Sequence, residues 1–190
     1  MKRKLCLFTD SLEPSGVGEQ MLCFAAELRH DFQISFICPP TQTGLHLLRR
    51  ARSLGAEALA LRARGGREAG SRLRAWLRTR SVDIFHCHAG IAWEGHAGVR
   101  IARSSGVPLV LRTEHLPHVL DSPAVVSGYL KMLAAVDHVT CVSQSVHESF
   151  LSGGAPAAKL SVVRNGIKPH HSEPDRARLI YELALPADAY

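Results

Sequence analysis

The sequence predicts a doubly wound α/β fold, in which helices cover both faces of a parallel β-sheet. Short apolar runs of strand length alternate along the chain with segments whose apolar residues recur at helical spacing. Most of these runs are apolar at nearly every position, as strands that are buried on both faces require. A length of 190 residues suits one domain of this class with a substantial core.

Seven apolar runs are predicted to be strands, because each has strand length and is followed by a polar or charged residue or by proline. The first run stops at Asp10, so it is too short for a signal-peptide core or a membrane span. The predicted strands are Lys4–Thr9, Gln33–Cys38, Ala56–Leu61, Asp83–Cys87, Leu109–Thr113, His138–Val142 and Leu160–Val163.

Six helices are predicted between these strands from amphipathic spacing. In the last of them, Ser145 is followed three residues later by Glu148, which is the pattern of a capping box at a helix start. The predicted helices are Gly18–Arg29, Gly44–Leu54, Arg67–Thr79, Ala92–Ser105, Val125–Ala134 and Val146–Leu151.

The segment Ser15–Gly18 follows the first strand and is predicted to be a ligand-binding loop. Gly16 and Gly18 allow the backbone to approach a bound group, and a helix that starts at Gly18 would point its first free amides at that group. Phosphate or sugar hydroxyls are ligands of this kind. The alternative is a plain structural turn, since Gly-x-Gly also occurs in turns without a ligand.

Arginines are concentrated in one part of the chain. The net charge is +6, and ten arginines lie between Arg49 and Arg80. We expect this basic surface to be solvated, with an anionic membrane surface as the alternative partner. Leu73, Trp76 and Leu77 form one apolar stripe among these arginines, and we expect the stripe to face the sheet rather than lipid. Nucleic acid is not expected, because aromatic residues form only 6% of the chain.

The five cysteines are odd in number, widely spaced and mostly inside apolar runs. Reduced thiols in such positions act as small hydrophobic side chains. We therefore expect a cytoplasmic location, peripheral to the inner face of the membrane if the basic surface binds lipid.

Polar side chains follow three successive strands, at the edge of the sheet where doubly wound domains bind ligands. The segments concerned are Asp83–His88, Arg112–His115 and Val142–Ser145. His86 and His88 would share one face, with Cys87 turned to the other face, buried and inert. The sheet would bring His115 close to the two histidines.

A zinc site built from these histidines is conceivable, but we do not expect a metal. The sequence has no Cys-x-x-Cys motif and no pair of histidines or cysteines at helical i, i+4 spacing. With 11 histidines in the chain, a His-x-His pattern arises readily by chance.

These motifs, in this order, resemble the N-terminal domain of retaining family 4 glycosyltransferases of the GT-B type. The resemblance covers nearly the whole chain. Its motifs are the glycine-rich loop, Asp83–His88, Thr113–His115, Val142–Ser143 and Lys159–Ile167. The strongest individual match is Val162–Ile167, whose Asn-Gly turn closes the N-terminal domain in that family.

The resemblance implies a Rossmann-like domain that binds the acceptor in the transfer of a sugar, with retention, from a nucleotide-sugar donor to a glycan or a lipid-linked acceptor. It places His115 at the catalytic centre near the transferred sugar, although not as a general base. His88 is expected to be a neighbouring residue on the acceptor side. The other expected substrate-binding residues are Gly16, Val17, Gly18, Thr113, Glu114, Ser143 and Asn165. No cofactor is expected.

The resemblance also implies a second domain, because family members bind the donor diphosphate with a basic pair in their C-terminal half. We divide the chain into a Rossmann-like domain of residues 1–167 and a segment of residues 168–190 that resembles the linker and the start of that half. Departure of a nucleoside diphosphate develops negative charge that positioned cations must stabilise. The chain alone is therefore expected to be inactive in transfer.

Other functions stay open on the sequence. A sugar-nucleotide epimerase of the GT-B fold would share much of the pattern. A nicotinamide-dependent oxidoreductase would share the first strand, loop and helix, but the full Gly-x-Gly-x-x-Gly fingerprint is missing and the second strand ends in Cys38 and two prolines rather than an acidic residue. The remaining alternative is a non-catalytic binding module or an inactive fragment.

Overall fold

A computed structural model describes residues 2–62, 66–91, 93–117, 122–166 and 175–186. All seven predicted strands form, each within two residues of its predicted ends. The strands are β1 (Arg3–Phe8), β2 (Phe32–Cys38), β3 (Glu57–Ala60), β4 (Ile84–Ala89), β5 (Leu109–Glu114), β6 (His138–Cys141) and β7 (Leu160–Val162). The helices are α1 (Ser15–Leu28), α2 (Gln42–Ser53), α3 (Gly66–Arg80), α4 (His96–Ser104), α5 (Pro123–Leu133), α6 (Gln144–Ser152) and α7 (Arg176–Glu182).

The strands form one parallel sheet in the order β3-β2-β1-β4-β5-β6-β7. The chain first builds outward from β1 to β3, and it then returns to place β4 on the other side of β1. At the carboxyl end of β1, Phe8 is in register with Ile37 of β2 and with Cys87 of β4. This topological switch opens a crevice between the loops that follow β1 and β4.

A hydrophobic core lies on each face of the sheet, which confirms the predicted doubly wound fold. Leu5 and Leu7 of β1 pack with α1 and α2, while Cys6 and Phe8 belong to the core beneath α3, α4, α5 and α6. Strands covered on both faces need apolar side chains in both directions, which explains the continuous apolar runs in the sequence.

The apolar stripe of α3 is part of this core, as predicted. Leu73 and Leu77 are buried, and Trp76 packs against the same cluster. The stripe is therefore not available to lipid, and the arginines form the outer surface of this segment. Within the described part of the chain, no helix is long and apolar enough to cross a membrane.

All six predicted helices form, and the starts of two of them differ from the prediction by more than two residues. The first, α1, begins at Ser15 rather than Gly18, so Gly18 lies inside its first turns. The other, α4, begins at His96, because Gly95 adopts a φ of 78° immediately before it. The predicted start of α4, Ala92, lies outside the described residues.

The predicted capping box at the start of α6 is wrong. The cap is Ser143, whose side chain accepts a hydrogen bond from the amide of Val146. Ser145 lies within the helix, and Glu148 accepts a hydrogen bond from Gln144 instead. The cap nevertheless follows the same rule, because a serine with an extended backbone precedes the first helical turn.

The helix α7 (Arg176–Glu182) lies in the tail that follows β7. The predicted domain boundary at residue 167 lies outside the described residues and stays a prediction.

Candidate functional site

A pocket of about 540 Å³ opens in the crevice at the topological switch, where doubly wound domains bind ligands. We call it the crevice pocket. Its walls come from the loop after β1, the first turns of α1, the loops after β4 and β5, and the segment after β7. Four of the predicted site residues line it: Gly16, Val17, His115 and Asn165.

The first turn of α1 presents its backbone to the crevice pocket. The amide of Gly18 is already bonded to the carbonyl of Pro14, so the amides of Gly16 and Val17 precede the first helical hydrogen bond. A Cβ atom built on Gly16 would meet nothing within 4 Å, which shows that this backbone is open to the pocket. Helix amides in this position, with about half a unit of positive charge, suit an oxygen-rich ligand.

Gly18 does not line the pocket, although the sequence places it with Gly16. It is buried, and a Cβ atom at this position would lie 3.2 Å from a methyl carbon of Leu47 in α2. The physical reason is the earlier helix start, which turns Gly18 toward the neighbouring helix. Its small size serves close packing between α1 and α2.

Three histidine side chains gather beneath α1 at the crevice ends of β4 and β5. The rings of His86 and His88 lie on one face of β4 with their centroids 4.2 Å apart, and Phe24 of α1 packs edge-on against both. The Nδ1 atom of His88 lies 3.2 Å from Nε2 of His115. The predicted convergence of the three histidines is confirmed, and we call them the histidine stack.

Only His115 connects the histidine stack with the crevice pocket. His88 is fully buried and does not line the pocket, so the predicted direct contact with an acceptor is not available to it. At the inner end, His86 Nε2 lies 2.7 Å from the hydroxyl of Thr113, which lies 2.6 Å from the hydroxyl of Thr140. These contacts fix the ring of His86, while the ring of His115 lines the pocket.

All three imidazoles are neutral at physiological pH. Burial, with a smaller contribution from His115, lowers the pKa of His86 to about 4. Burial, with the charge of Arg112 as the next cause, lowers the pKa of His115 to about 4. Burial and the two neighbouring imidazoles lower the pKa of His88 well below its usual value. The stack therefore offers hydrogen-bonding groups rather than positive charge.

The loop after β4 forms the pocket wall opposite α1 and is held by carboxylates. Glu94 accepts hydrogen bonds from the amides of Gly90 and Ile91, at 2.8 and 3.3 Å. Asp10, at the end of β1, accepts a 2.7 Å hydrogen bond from the amide of Gly95. Both carboxylates are buried, so they fix the loop between the two strand ends.

Behind this loop lies an ion pair on the opposite face of the sheet from the histidine stack. Arg112 of β5 is fully buried and pairs with Glu114, which also accepts a 2.8 Å hydrogen bond from the hydroxyl of Tyr129. Arg112 also donates to the backbone carbonyl of Glu94, at 2.6 Å. We call Arg112, Glu114 and Tyr129 the sealed cluster. It anchors the pocket wall from the back.

The predicted role of Glu114 in substrate binding needs correction. Alternation along β5 turns Arg112 and Glu114 away from the face that carries Thr113 and His115. Glu114 is 1% exposed, and its carboxylate is engaged by protein groups. Burial alone would lower the pKa of Arg112, but the charge of Glu114 raises it overall, so the guanidinium stays charged.

Cys87 is buried on the face of the sealed cluster, as predicted. Its thiol lies 3.7 Å from Nη1 of Arg112, and burial raises the pKa of the thiol far above its usual value. A thiol in this state is inert as a nucleophile.

Asn165 lies between the crevice pocket and a second cavity of about 410 Å³, which we call the side groove. The side groove runs along α1, and Thr113 lies on its floor with Thr140. Gln20 of α1 donates a 3.0 Å hydrogen bond to the carbonyl of Gly166, which holds the segment after β7 beside the pocket. Ser143 lines neither cavity, and its hydroxyl caps α6.

Among the residues that sequence reasoning missed, Asp10, Gln20 and Glu94 hold the segments that form the pocket walls. A signal existed for Asp10, which ends the first strand, and for Glu94, which precedes a glycine after the fourth strand. No pattern marked Gln20. The described residues contain no group of three or more metal-ligating side chains arranged to hold a metal ion.

A parallel sheet with a ligand pocket at its topological switch defines the class: a Rossmann-like domain of the kind found in GT-B glycosyltransferases. The family model "Glycosyltransferase Family 4" matches residues 14–171. The chain therefore belongs to glycosyltransferase family 4. No curated protein matches the sequence at a significant level.

Solved structures with the same fold share little sequence with the chain. A glycosyltransferase from Rickettsia africae superposes with a TM-score of 0.74 at 14% identity, over 98% of this chain and 51% of that one. The Anabaena protein HepE, in complex with UDP and glucose, gives 0.71 at 13% identity, over 95% and 50%. A UDP-N-acetylglucosamine 2-epimerase gives 0.60 at 15% identity, over 92% and 53%. The chain spans about half the length of these proteins.

Proposed function

We propose that this chain is the acceptor-binding half of a retaining glycosyltransferase that takes its sugar from a nucleotide-sugar donor. The main observation behind this proposal is the crevice pocket, which brings the open amides of Gly16 and Val17 together with His115 and Asn165 at the topological switch. Family membership supports sugar transfer, and the similarity to HepE with UDP and glucose supports a nucleotide-sugar donor.

The polar lining of the pocket suits the hydroxyl groups of a neutral acceptor. Glu13, Glu19 and Glu94 are among its lining residues, whereas no described lining residue is lysine or arginine. Glu19 is already paired with Arg50, and Glu94 with backbone amides. A ligand here meets hydrogen-bond acceptors, a neutral imidazole and helix amides.

The same lining supports a role for a second domain in donor binding. A departing nucleoside diphosphate needs positioned cations or other strong donors, and the α1 N-terminus supplies only about half a unit of charge. We propose that the cations come from a C-terminal half of the kind that GT-B enzymes have, and that the chain alone transfers little or no sugar.

Ligand-dependent melting of the chain tests this proposal. We expect neutral sugar acceptors from a panel of glycans to raise the melting temperature, and UDP or UDP-sugars to leave it unchanged, because only the acceptor half of the site is present. The response should disappear in His115→Ala and persist in His30→Ala, which changes an exposed histidine that does not line the pocket.

Activity provides the second test. Fusion of residues 1–166 to the C-terminal half of a family 4 enzyme should produce transfer from a nucleotide sugar, whereas the chain alone should not. Rapid turnover by the chain alone would contradict the proposal. Product analysis by NMR decides retention, because a retained anomer has the configuration of the donor.

A sugar-nucleotide epimerase is the second candidate, supported by the similarity to UDP-N-acetylglucosamine 2-epimerase. An epimerase interconverts its substrate without an acceptor. Conversion of UDP-N-acetylglucosamine to its 2-epimer would therefore identify this function, and we expect none from the chain or the fusion.

We further propose that any membrane attraction is electrostatic and weak, in a protein that works in the cytoplasm with its five cysteines as free thiols. Leu73 and Leu77 are buried, so basic side chains such as Arg72 and Arg78 are what α3 offers to anionic lipid. Sedimentation with anionic liposomes at low salt should show binding that is lost at 0.5 M salt, and its absence at low salt would exclude this partner.

A further inference from the structure

His88 is a buried histidine with one hydrogen-bond partner and one bare nitrogen. Its ring is fully buried, and its Nδ1 atom faces Nε2 of His115 at 3.2 Å. No group of the described protein lies within hydrogen-bond distance of its Nε2 atom. Phe24 and His86 pack against the ring instead. A ring with this environment can carry its proton in only one favourable way.

A neutral imidazole has one N–H donor and one nitrogen that accepts. In one arrangement, Nδ1–H of His88 donates to Nε2 of His115, and the bare Nε2 of His88 is only a lone pair. In the other arrangement, Nε2–H of His115 donates to Nδ1 of His88, and His88 must then bury an N–H group with no acceptor. Buried donors without a partner are rarer in proteins than buried acceptors without one.

We propose that His88 is a positioning residue that sets the tautomer of His115. His88 carries its proton on Nδ1 and donates it to Nε2 of His115, so that His115 carries its own proton on Nδ1. The remaining ring nitrogen of His115, Nδ1, is then a neutral N–H donor on a side chain that lines the crevice pocket. That a sugar oxygen accepts a hydrogen bond from this N–H rests on the proposed function, whereas the assignment of the tautomers does not.

The depressed pKa values of both rings keep the two imidazoles neutral, so each ring carries one N–H and the two arrangements differ only in tautomer. A neutral donor suits a hydroxyl or ring oxygen of a sugar, which is uncharged. It also gives a role to a buried histidine that does not line the pocket.

Long-range 1H–15N NMR on the chain with 15N-labelled histidine measures the tautomers directly. We expect His88 and His115 both to carry hydrogen on Nδ1 at neutral pH, with signals assigned by their loss in single-site variants. Hydrogen on Nε2 of either ring would overturn the proposal. No ligand is needed, so this result is independent of whether the chain binds sugars.

Two substitutions separate tautomer control from packing. In His88→Asn the amide nitrogen is two bonds from Cβ, as is Nδ1 of histidine, whereas in His88→Gln it is three bonds away, as is Nε2. We expect His88→Asn to keep the hydrogen of His115 on Nδ1 and His88→Gln to shift it toward Nε2. An unchanged His115 tautomer in folded His88→Gln contradicts the proposal, and if this variant does not fold, the measurement on the unmodified chain decides.

Discussion

The two faces of strands β4 and β5 carry polar clusters of opposite character, built from residues that alternate along the same strands. On one face, Arg112 and Glu114 form a charged pair that is closed to solvent and bonded to Tyr129. On the other face, His88 and His115 belong to a neutral stack whose outer member lines the crevice pocket. On these two strands, the charged pair lies where no ligand can reach it, and a neutral imidazole lines the pocket.

Within one sequence motif, some polar residues therefore stabilise the fold and others belong to the candidate site. The sequence Arg112–His115 reads as one polar strand end, yet its residues divide between two tasks because successive side chains point to opposite faces. The sealed cluster holds the pocket wall through the carbonyl of Glu94, and the histidine stack supplies the hydrogen-bonding surface. Substitutions on the two faces should therefore have different consequences.

The largest expected effect is the loss of the buried cation. Arg112→Met leaves the carboxyl group of Glu114 buried without its partner, which should lower the free energy of unfolding by about 3–5 kcal/mol. Chemical denaturation measures this change. The matched control is Arg50→Met, which removes the exposed pair with Glu19 and should cost less than about 1 kcal/mol.

The double variant Arg112→Met/Glu114→Leu sharpens the test. If the cost arises from an unpaired buried charge, removing both partners should recover a large part of the lost stability, since apolar side chains often replace a buried pair well. Equal costs for Arg112→Met and Arg50→Met would show that the sealed cluster does not hold the fold together.

The next largest effect on stability is expected at Gly95, which lies where the pocket wall meets the sealed cluster. Its φ is 78°, and a Cβ atom would lie 2.1 Å from Sγ of Cys87. Gly95→Ala should cost about 1–2 kcal/mol for backbone strain and about 1–3 kcal/mol more for the clash. Gly55→Ala is the control, with a φ of 83° and nothing within 4 Å of a Cβ atom, so it should show the strain alone. Equal melting temperatures for the two variants would contradict this account.

The fold was predictable because its signals are local. Strand length, apolar continuity and following polar residues identified all seven strands, and alternation placed His86 and His88 opposite Cys87. The start of α1 was missed because glycines suggested a loop, whereas the chain turns helical directly after Pro14.

The candidate site was predictable only in part, because tertiary contacts decide the rest. Gly16 and His115 reach the crevice pocket, but the sequence gives no sign that Tyr129 of α5 approaches Glu114 of β5. That contact joins two elements across a loop. It engages the carboxylate of Glu114, to which the motif alone assigns a role in substrate binding. Gln20 is a further case, since its hydrogen-bond partner Gly166 lies 146 residues later in the sequence.

Acid should destabilise the fold through the histidine face. Histidines titrate near pH 6.5 when unfolded, whereas His86 and His115 have pKa values of about 4 in the fold, lowered chiefly by burial. The unfolded chain then binds more protons between these values. This contribution to stability is complete above pH 6.5 and is lost as the pH falls toward 4, by up to about 1.4 kcal/mol per pH unit for each histidine.

Denaturation curves at pH 7, 6, 5 and 4.5 measure this loss. His86→Gln, which keeps a polar group near Thr113, should reduce the slope of stability against pH by the share of one histidine. His30→Gln changes an exposed side chain and should leave the slope unchanged. A slope that is the same in all three proteins would show that the stack is not held neutral by the fold.

The smallest effect on stability is expected at Gly16, where the fold and the site respond in opposite directions. A methyl group here meets no protein atom within 4 Å, and alanine favours the helix, so Gly16→Ala should raise the free energy of unfolding by about 0.5–1 kcal/mol. The same methyl group enters the crevice pocket and should weaken acceptor binding several-fold. Gly128→Ala in α5 is the matched control, since its Cβ atom also meets nothing and it lies outside the pocket, so it should stabilise the fold without changing binding. Equal acceptor affinity in the two variants would mean that the ligand does not approach the start of α1.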